Sequence, residues 1–531
     1  MLKLPLYFIL ILLSLTVAAQ EKHPTKSIEP YYDISLTDAE RDSLQSNIEG
    51  FQKEYKALHG YKLDNSIPMS LEFDPRPGFF SPVGGEVVRS EKAFPLPKKV
   101  DVPKNKEDLA FYPVYKLATL IKTKKITSTE LTSIYIARIK KYSDTLQCVI
   151  TLLEERAMEQ AKRVDEEISK GKYKGPLHGI PYGVKDLFAV EGTKTTWGAA
   201  PFKDQTFDKT ANVVRTLDDA GAVLICKFTM GALAMGDIWY GGVTKNPWNM
   251  KQGSSGSSAG SASGTSAGLV AFAIGTETLG SIVSPSTRCG VTGLRPTYGT
   301  VNPAGAMTLS WSMDKIGPIC RSALDCGLVY SVISNKFGLR ALVDIRKLKV
   351  GYLKGTYSRN DSTSLEAIKS LGINPVPVEL PTGMPISAIR IMLTAEAGAA
   401  FDQLTRDNID DQLTDQRKGA WPNTFRAARF IPAVEYINAS RLRRLLIEEY
   451  HKKLGQYDII ISPTFASGQL LTTNLTGHPC LVVPNGFNDQ GSPTSISFLG
   501  KLYGEDALVK FAHAYQEATE WDEKIPPLFK P

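Results

Sequence analysis

The densest run of potentially reactive side chains in this 531-residue chain is KQGSSGSSAGSASGTSAG, residues 251–268. Two pentapeptides within it, GSSAG (256–260) and GTSAG (264–268), satisfy G-x-S-x-G, the strand-to-helix turn that exposes a nucleophilic serine. That turn needs an apolar strand directly before the serine, and an acid and a histidine after it. The preceding residues, NPWNMKQ, are polar and broken by proline, and overlapping matches arise readily by chance in Gly/Ser-rich sequence. Ser258 and Ser266 are therefore poor nucleophile candidates, and His451, His478 and His513 read more simply as surface or structural residues. A flexible linker is also a poor description. Gly256, Gly260, Gly264 and Gly268 recur every four residues, on one face of a helix, where the missing side chain permits close packing. The run then enters the apolar LVAFAIG without a break.

The next segment is more specific. GTETLGSIVSPSTRCGVTGLRPTYG (275–299) resembles the amidase signature family, whose pattern runs roughly GGSSGG, a helix, then GTDTGGSIRxPAxxCGVxGLKPTYG. SGSSAGSA (255–262) aligns with the first part, and NPWNMKQGS (246–254) stands where the family has NPWDPSRxPG. Upstream, GPLHGIPYGVKDLFAVEGTKTTWGA (175–199) is similar to the family's lysine segment. Downstream, SMDKIGPICRSALDCG (312–327) and LTGHPCLVVPNGF (475–487) fit as well, so the resemblance covers roughly residues 110–520.

By this resemblance Ser281 is the nucleophile, Ser257 the bridging serine and Lys185 the base, with a cis peptide bond implied at Gly256–Ser257. The backbone N–H groups of Thr278, Leu279 and Gly280, with Ser281 itself, are the implied oxyanion donors. An unassisted serine hydroxyl is a weak nucleophile and needs an adjacent base. Lysine serves as that base only when neutral, and burial lowers its pKa by disfavouring the charge. Lys185 lies in IPYGVKDLFAV, apolar enough to enclose it, although Asp186 next door is expected to oppose the shift. No step of amide hydrolysis by this route asks for a metal or an organic cofactor. Three positions depart from the family pattern: Leu279 replaces Gly, Val283 replaces a characteristic Arg, and Glu277 stands where Asp is usual. Glu277 then needs another cationic partner or water, and Leu279 is expected to alter the oxyanion hole or narrow the acyl pocket.

Such residues must be positioned by a folded framework. Thr127 and Glu130 form a capping box ahead of LTSIYIARIKKY, an amphipathic helix. Strand-like runs (GIPYGVKD, AVLICKF, LKVGYL, PVPVEL, YDIIISPT, HPCLVVPNGF) alternate with helical ones, which argues for one α/β domain over residues 106–531. The resemblance implies a mixed twisted β-sheet core covered by helices on both sides. Residues 20–105 read as an N-terminal extension: Leu44, Ile48, Phe51 and Tyr55 carry helical spacing, and the proline-rich FDPRPGFFSPVGG and FPLPKKVDVPKNK follow.

The first nineteen residues have the form of a signal peptide. Lys3 is followed by the apolar Leu4 to Leu15 and by small residues up to Ala19, a run too short to span a bilayer comfortably. The mature protein is expected to be exported, periplasmic or secreted. The six cysteines lie far apart, with no metal-ligand spacing, and read as buried free thiols with room for one bridge. The net charge of +7 is thinly spread, KTKK and RLRR being short and separate, which excludes a nucleic-acid-binding surface. The expected partner is a small-molecule or peptide amide, met by a monomer or homodimer without stable membrane insertion after cleavage. Two other functions share the scaffold: a catalytically impaired binding protein, and the amidase component of a tRNA-dependent amidotransferase, which the leader opposes.

Overall fold

Runs in which every residue is buried become strands covered on both faces, as expected for a sheet between helical layers. The computed structural model describes residues 23–32, 34–61, 70–71, 96–334 and 344–531; the leader and FDPRPGFFSPVGG lie outside them. Eleven strands form one sheet: β1 Val149–Leu152, β2 Pro181–Lys185, β3 Val223–Phe228, β4 Phe272–Glu277, β5 Thr292–Arg295, β6 Lys315–Cys320, β7 Val350–Leu353, β8 Val376–Val378, β9 Ile459–Pro463, β10 Cys480–Phe487 and β11 Pro493–Gly500. Their order is β1-β3-β2-β4-β6-β5-β10-β11-β9-β7-β8. β3-β2-β4 and β9-β7-β8 are parallel and the remaining neighbours antiparallel, so the sheet is mixed. Every residue of β2, β3, β5, β6 and β9 is buried. All six strand-like runs singled out above are strands.

The N-terminal extension contains α1, Asp38–His59, closed by a full capping box between Thr37 and Glu40. The helix is docked, not free. Leu44 is buried, Tyr55 donates to the Phe430 carbonyl, His59 meets Glu435 at 2.8 Å, and Glu40 pairs with buried Arg426 at 2.5 Å. Helix α2, Ser128–Leu146, begins at Thr127, whose hydroxyl accepts from the Glu130 N–H at 3.0 Å. Only half of the expected box forms, because the Glu130 carboxylate pairs with Lys106 instead.

The Gly/Ser stretch becomes the eight-residue helix α3, Ala259–Ser266, in which every residue is buried. A methyl on Gly260 would lie 2.3 Å from the Cys148 carbonyl oxygen, and one on Gly264 would lie 2.3 Å from the Phe228 ring. The glycines therefore serve contact, as their spacing predicts. The helical face is shorter than the four-residue repeat implies: Gly256 precedes the helix, and Gly268 lies beyond it with φ +66°.

Candidate active site

β2 ends on Lys185 between its parallel neighbours β3 and β4, and the side chain is completely buried. Its Nζ lies 2.8 Å from Ser257 Oγ and 2.9 Å from Thr276 Oγ1. Burial pushes the ammonium pKa down to about 7, against the pull of Asp314 and Glu277, which favour the charged form. A neutral amine keeps a lone pair, so the Ser257 O–H can donate to it. The expected opposition from Asp186 is not what the structure contains. Asp186 Oδ1 sits 2.7 Å from the buried Lys227 ammonium, and Oδ2 accepts from Thr196 N and Oγ1 at 2.8 and 2.6 Å. That negative charge is taken up by Lys227, and the two acids acting on Lys185 come from β4 and from the turn before β6.

Ser257 follows a cis peptide bond at Gly256–Ser257, where the resemblance implies one. Gly256 admits no side chain, because a Cβ there would fall 1.8 Å from the Gly236 carbonyl oxygen. Ser258 is occupied structurally. Its hydroxyl donates to the Thr276 carbonyl and accepts from the Thr276 N–H, both at 3.1 Å, and its own N–H donates to the Ser281 carbonyl at 3.1 Å. One residue thus bonds the Ser257 segment to both β4 and Ser281. Of the histidines considered for an elbow, His478 is held neutral, burial pushing its pKa down to about 3, and its ring shares a hydrogen bond with Thr476 Oγ1.

Ser281 is buried, with 8% of its surface exposed. The turn carrying it runs from β4 into a short helix, Val283–Cys289, with Gly280 at φ +89°. A left-handed residue there is natural only for glycine. Glu277 fixes the turn from within. Its Oε2 accepts from the N–H groups of Ile282 and Val283 at 2.9 and 3.0 Å, and its Oε1 accepts from Arg295 Nη1 at 2.9 Å and Asn474 Nδ2 at 2.8 Å. Burial alone would raise this carboxyl pKa, yet Arg295, Lys315 and these donors lower it to about 2. The cationic partner that Glu277 needs is therefore Arg295, where the family pattern has lysine. Position 283 has no use for a charge: Val283 joins an apolar cluster with Leu353, Cys480 and Val482. Leu279, expected to crowd the site, packs against the main core.

A cavity of about 110 Å³ opens beside this apparatus, bordered by Thr276 and Thr278. Thr278 Oγ1 donates to Asp314 Oδ1 at 2.6 Å, and Asp314 Oδ2 accepts from the N–H groups of Leu309 and Ser310. Asp314 thereby couples the segment that carries the expected oxyanion donors to the cavity wall. Ala234 lines the same cavity, and it and Leu233 hold φ values of +66° and +49°. Non-glycine residues in that region cost about 1–3 kcal/mol each and persist only where surroundings enforce them. Here the Trp421 indole donates to the Leu233 carbonyl at 2.9 Å, and the Leu233 N–H donates to the Trp197 carbonyl at 3.0 Å. Nothing in GALAMG signals that backbone. Thr276, Asp314, Asn474 and Arg295 are likewise not marked out by the sequence; an unpaired Glu277 is the one hint toward Arg295. Among the described residues no group of three or more His, Cys, Asp or Glu could hold a metal ion. All six cysteines are buried free thiols.

The Amidase family model matches residues 130–509. A glutamyl-tRNA(Gln) amidotransferase subunit from Marinomonas sp. (strain MWYL1) is 32% identical over 479 residues, covering 78% of this chain and 98% of its own. The subunit of the same name from Nitrosococcus oceani is 30% identical, covering 77% and 98%. Among solved structures, native peptide amidase from Stenotrophomonas maltophilia superposes with a TM-score of 0.70 at 28% identity, over 80% of this chain and 100% of that one. An amidase family protein from Bacillus anthracis str. Ames gives 0.69 at 25% identity, over 80% and 93%. Matching this breadth of sequence and carrying the same mixed-sheet fold, the chain belongs to the amidase family, whose chemistry is hydrolysis at amide C–N bonds.

Proposed function

We propose that the chain hydrolyses a carboxylic amide through an acyl-enzyme on Ser281. The observation that carries this reading is Lys185, wholly buried, with a pKa near 7 and its Nζ 2.8 Å from Ser257 Oγ. Ser281 Oγ bonds to the amide carbon as its proton passes to Ser257 Oγ, whose own proton passes to Lys185. The carbonyl electron pair moves onto oxygen, where the N–H groups of Thr278, Leu279, Gly280 and Ser281 receive it. One such donor is typically worth about 2.7–4 kcal/mol to the transition state. The C–N bond then breaks, the nitrogen regains the relayed proton, and ammonia or an amine leaves. Water attacks the ester by the same relay, releasing the acid and restoring Ser281.

Fluorophosphonate labelling followed by peptide mapping tests this directly. The adduct is expected on Ser281 and is expected to disappear in Lys185→Ala. An adduct on Ser258 or Ser266 instead, or none at any pH, would sink the acyl-enzyme reading; the second result would favour a binding protein.

The amidotransferase reading is kept by curated relatives that carry that name at 27–32% identity. Against it stands the leader, which we read as directing export with cleavage after Ala19. Among the described residues no helix is long and apolar enough to cross a membrane. Terminal sequencing of protein recovered from its native host is expected to begin at Gln20; recovery of an intact Met1 from the cytoplasm would remove the export reading.

A further inference from the structure

The cavity beside the site has a wall of unusual electrical character. Its apolar lining comes from Leu187, Pro296, Val301, Met307 and Ile316, and Tyr298 and Trp311 stand at its edge, 40% and 57% exposed. The Tyr298 hydroxyl donates to the Trp311 carbonyl at 2.6 Å, tying the two aromatics together at the rim. The Met307 N–H donates to the Leu187 carbonyl at 3.0 Å, so this wall is bonded to the backbone two residues beyond Lys185.

Besides the Tyr298 phenol, two titratable residues border the cavity, and the one whose charge is felt there, Asp314, is an acid. Both carboxylate oxygens of Asp314 are engaged, one by Thr278 and the other by the Leu309 and Ser310 N–H groups. Lys315 pairs across the sheet with Glu277, while Ile316 pairs with Thr276. Successive side chains on a strand point to opposite faces. Ile316 and Thr276 therefore share one face of the sheet, and the Lys315 side chain lies on the other, with Glu277. Its buried amine finds no hydrogen-bond partner among the described residues, and burial, helped by Arg295, holds its pKa well below the ordinary lysine value.

Resting on the acyl-enzyme reading, we propose that this cavity receives the acyl part of the substrate, and that the substrate is an amide of an uncharged, apolar carboxylic acid. The size sets a limit. A cavity of about 150 Å³ lined by apolar side chains holds benzene, so one of about 110 Å³ suits a short alkyl or aryl group, with Tyr298 and Trp311 flanking whatever extends past the mouth. An amide bearing a carboxylate near its carbonyl, as succinamate and free glutamine do, would bring an anion to an apolar wall whose nearest charge is the Asp314 carboxylate, which is strongly unfavourable.

A panel of primary amides on the mature protein tests this. Hexanamide and phenylacetamide are expected to exceed succinamate and glutamine in kcat/KM by roughly 100-fold or more, and acetamide by roughly 10-fold or more. Met307→Trp, which fills the cavity, is expected to cost hexanamide about 10-fold more than it costs acetamide, in a protein whose Ser281 is still labelled by fluorophosphonate. Met307→Lys is expected to shift the preference toward succinamate. Several results would overturn the proposal while leaving the acyl-enzyme intact: a wild-type preference for glutamine or succinamate, a preference that follows the amine and not the acid, or indifference of hexanamide to Met307→Trp in a protein still labelled at Ser281. Absence of both labelling and turnover on every amide defeats the acyl-enzyme reading itself.

Discussion

Lys185→Met is expected to lower kcat/KM by about 10²–10⁴-fold, the range typical of a lost general base, while the protein stays folded. Methionine matches the buried stem in length and leaves out the amine, so the apolar surroundings lose little. The wild-type enzyme carries a sign that distinguishes this role from simple packing. Below about pH 7 Lys185 is protonated and has no lone pair for the Ser257 proton; above it the amine is neutral. Activity is therefore expected to rise about tenfold per pH unit up to about 7 and then level off, the acid limb of kcat/KM reporting the free enzyme. Asp314 favours the charged amine, so Asp314→Asn is expected to move that limb to lower pH. A profile flat between pH 5 and 8, or a limb that moves upward in Asp314→Asn, would remove Lys185 from the role of base.

Arg295→Met is expected to destabilise the protein by about 3–5 kcal/mol, because it leaves the Glu277 carboxylate buried opposite a missing partner. Arg295 also donates to Thr473 Oγ1 at 2.8 Å and to the His478 carbonyl at 3.0 Å, so three separate contacts are lost together. Glu277 loses the cation that chiefly holds its pKa down, and a neutral carboxyl grips the Ile282 and Val283 N–H groups less firmly. The Ser281 turn then loosens. Activity is expected to fall with stability, and the double variant Arg295→Met, Glu277→Gln is expected to be less destabilised than the two single changes summed. Urea unfolding of the four proteins measures this. An Arg295→Met midpoint indistinguishable from the wild type would show that the pair does not hold the turn.

Much of this architecture is legible in the residues themselves, for identifiable reasons. IPYGVKD, AVLICKF and YDIIISPT read as strands because both faces are buried and the runs are short and bounded. The Gly/Ser stretch reads as a packed helix because its glycine period survives in sequence. The placement of Ser257, Ser281 and Lys185 comes from the order and spacing of motifs, since no local property distinguishes Ser257 from Ser258. What is illegible depends on pairing between distant segments. Asp186 and Lys185 are neighbours in sequence, yet Lys227 on the adjacent strand takes the Asp186 charge. Arg295 lies 18 residues from Glu277, and Asn474 lies 197 away. Backbone conformations also leave no trace when the residues are ordinary, as at Leu233 and Ala234. The capping box at Thr127 fails for a similar reason, its glutamate being drawn to Lys106.

The hydrogen bonds that join Asn474, Thr473 and His478 to the Glu277–Arg295 pair bear on the order in which the chain acquires its structure. β5 meets β10 in the middle of the sheet, so the strand that follows the Ser281 turn is flanked on one side by chain synthesised almost two hundred residues later. Closing such a loop costs entropy that is recovered only when the late segment docks. Until residues 473–478 arrive, the buried carboxylate beneath the nucleophile lacks the Asn474 donor and Arg295 lacks two of its acceptors, so the turn is not held. A partly made chain thus carries Lys185, Ser257 and Ser281 in full without an organised centre. Competence is therefore expected only once the segment around residues 473–478 has docked.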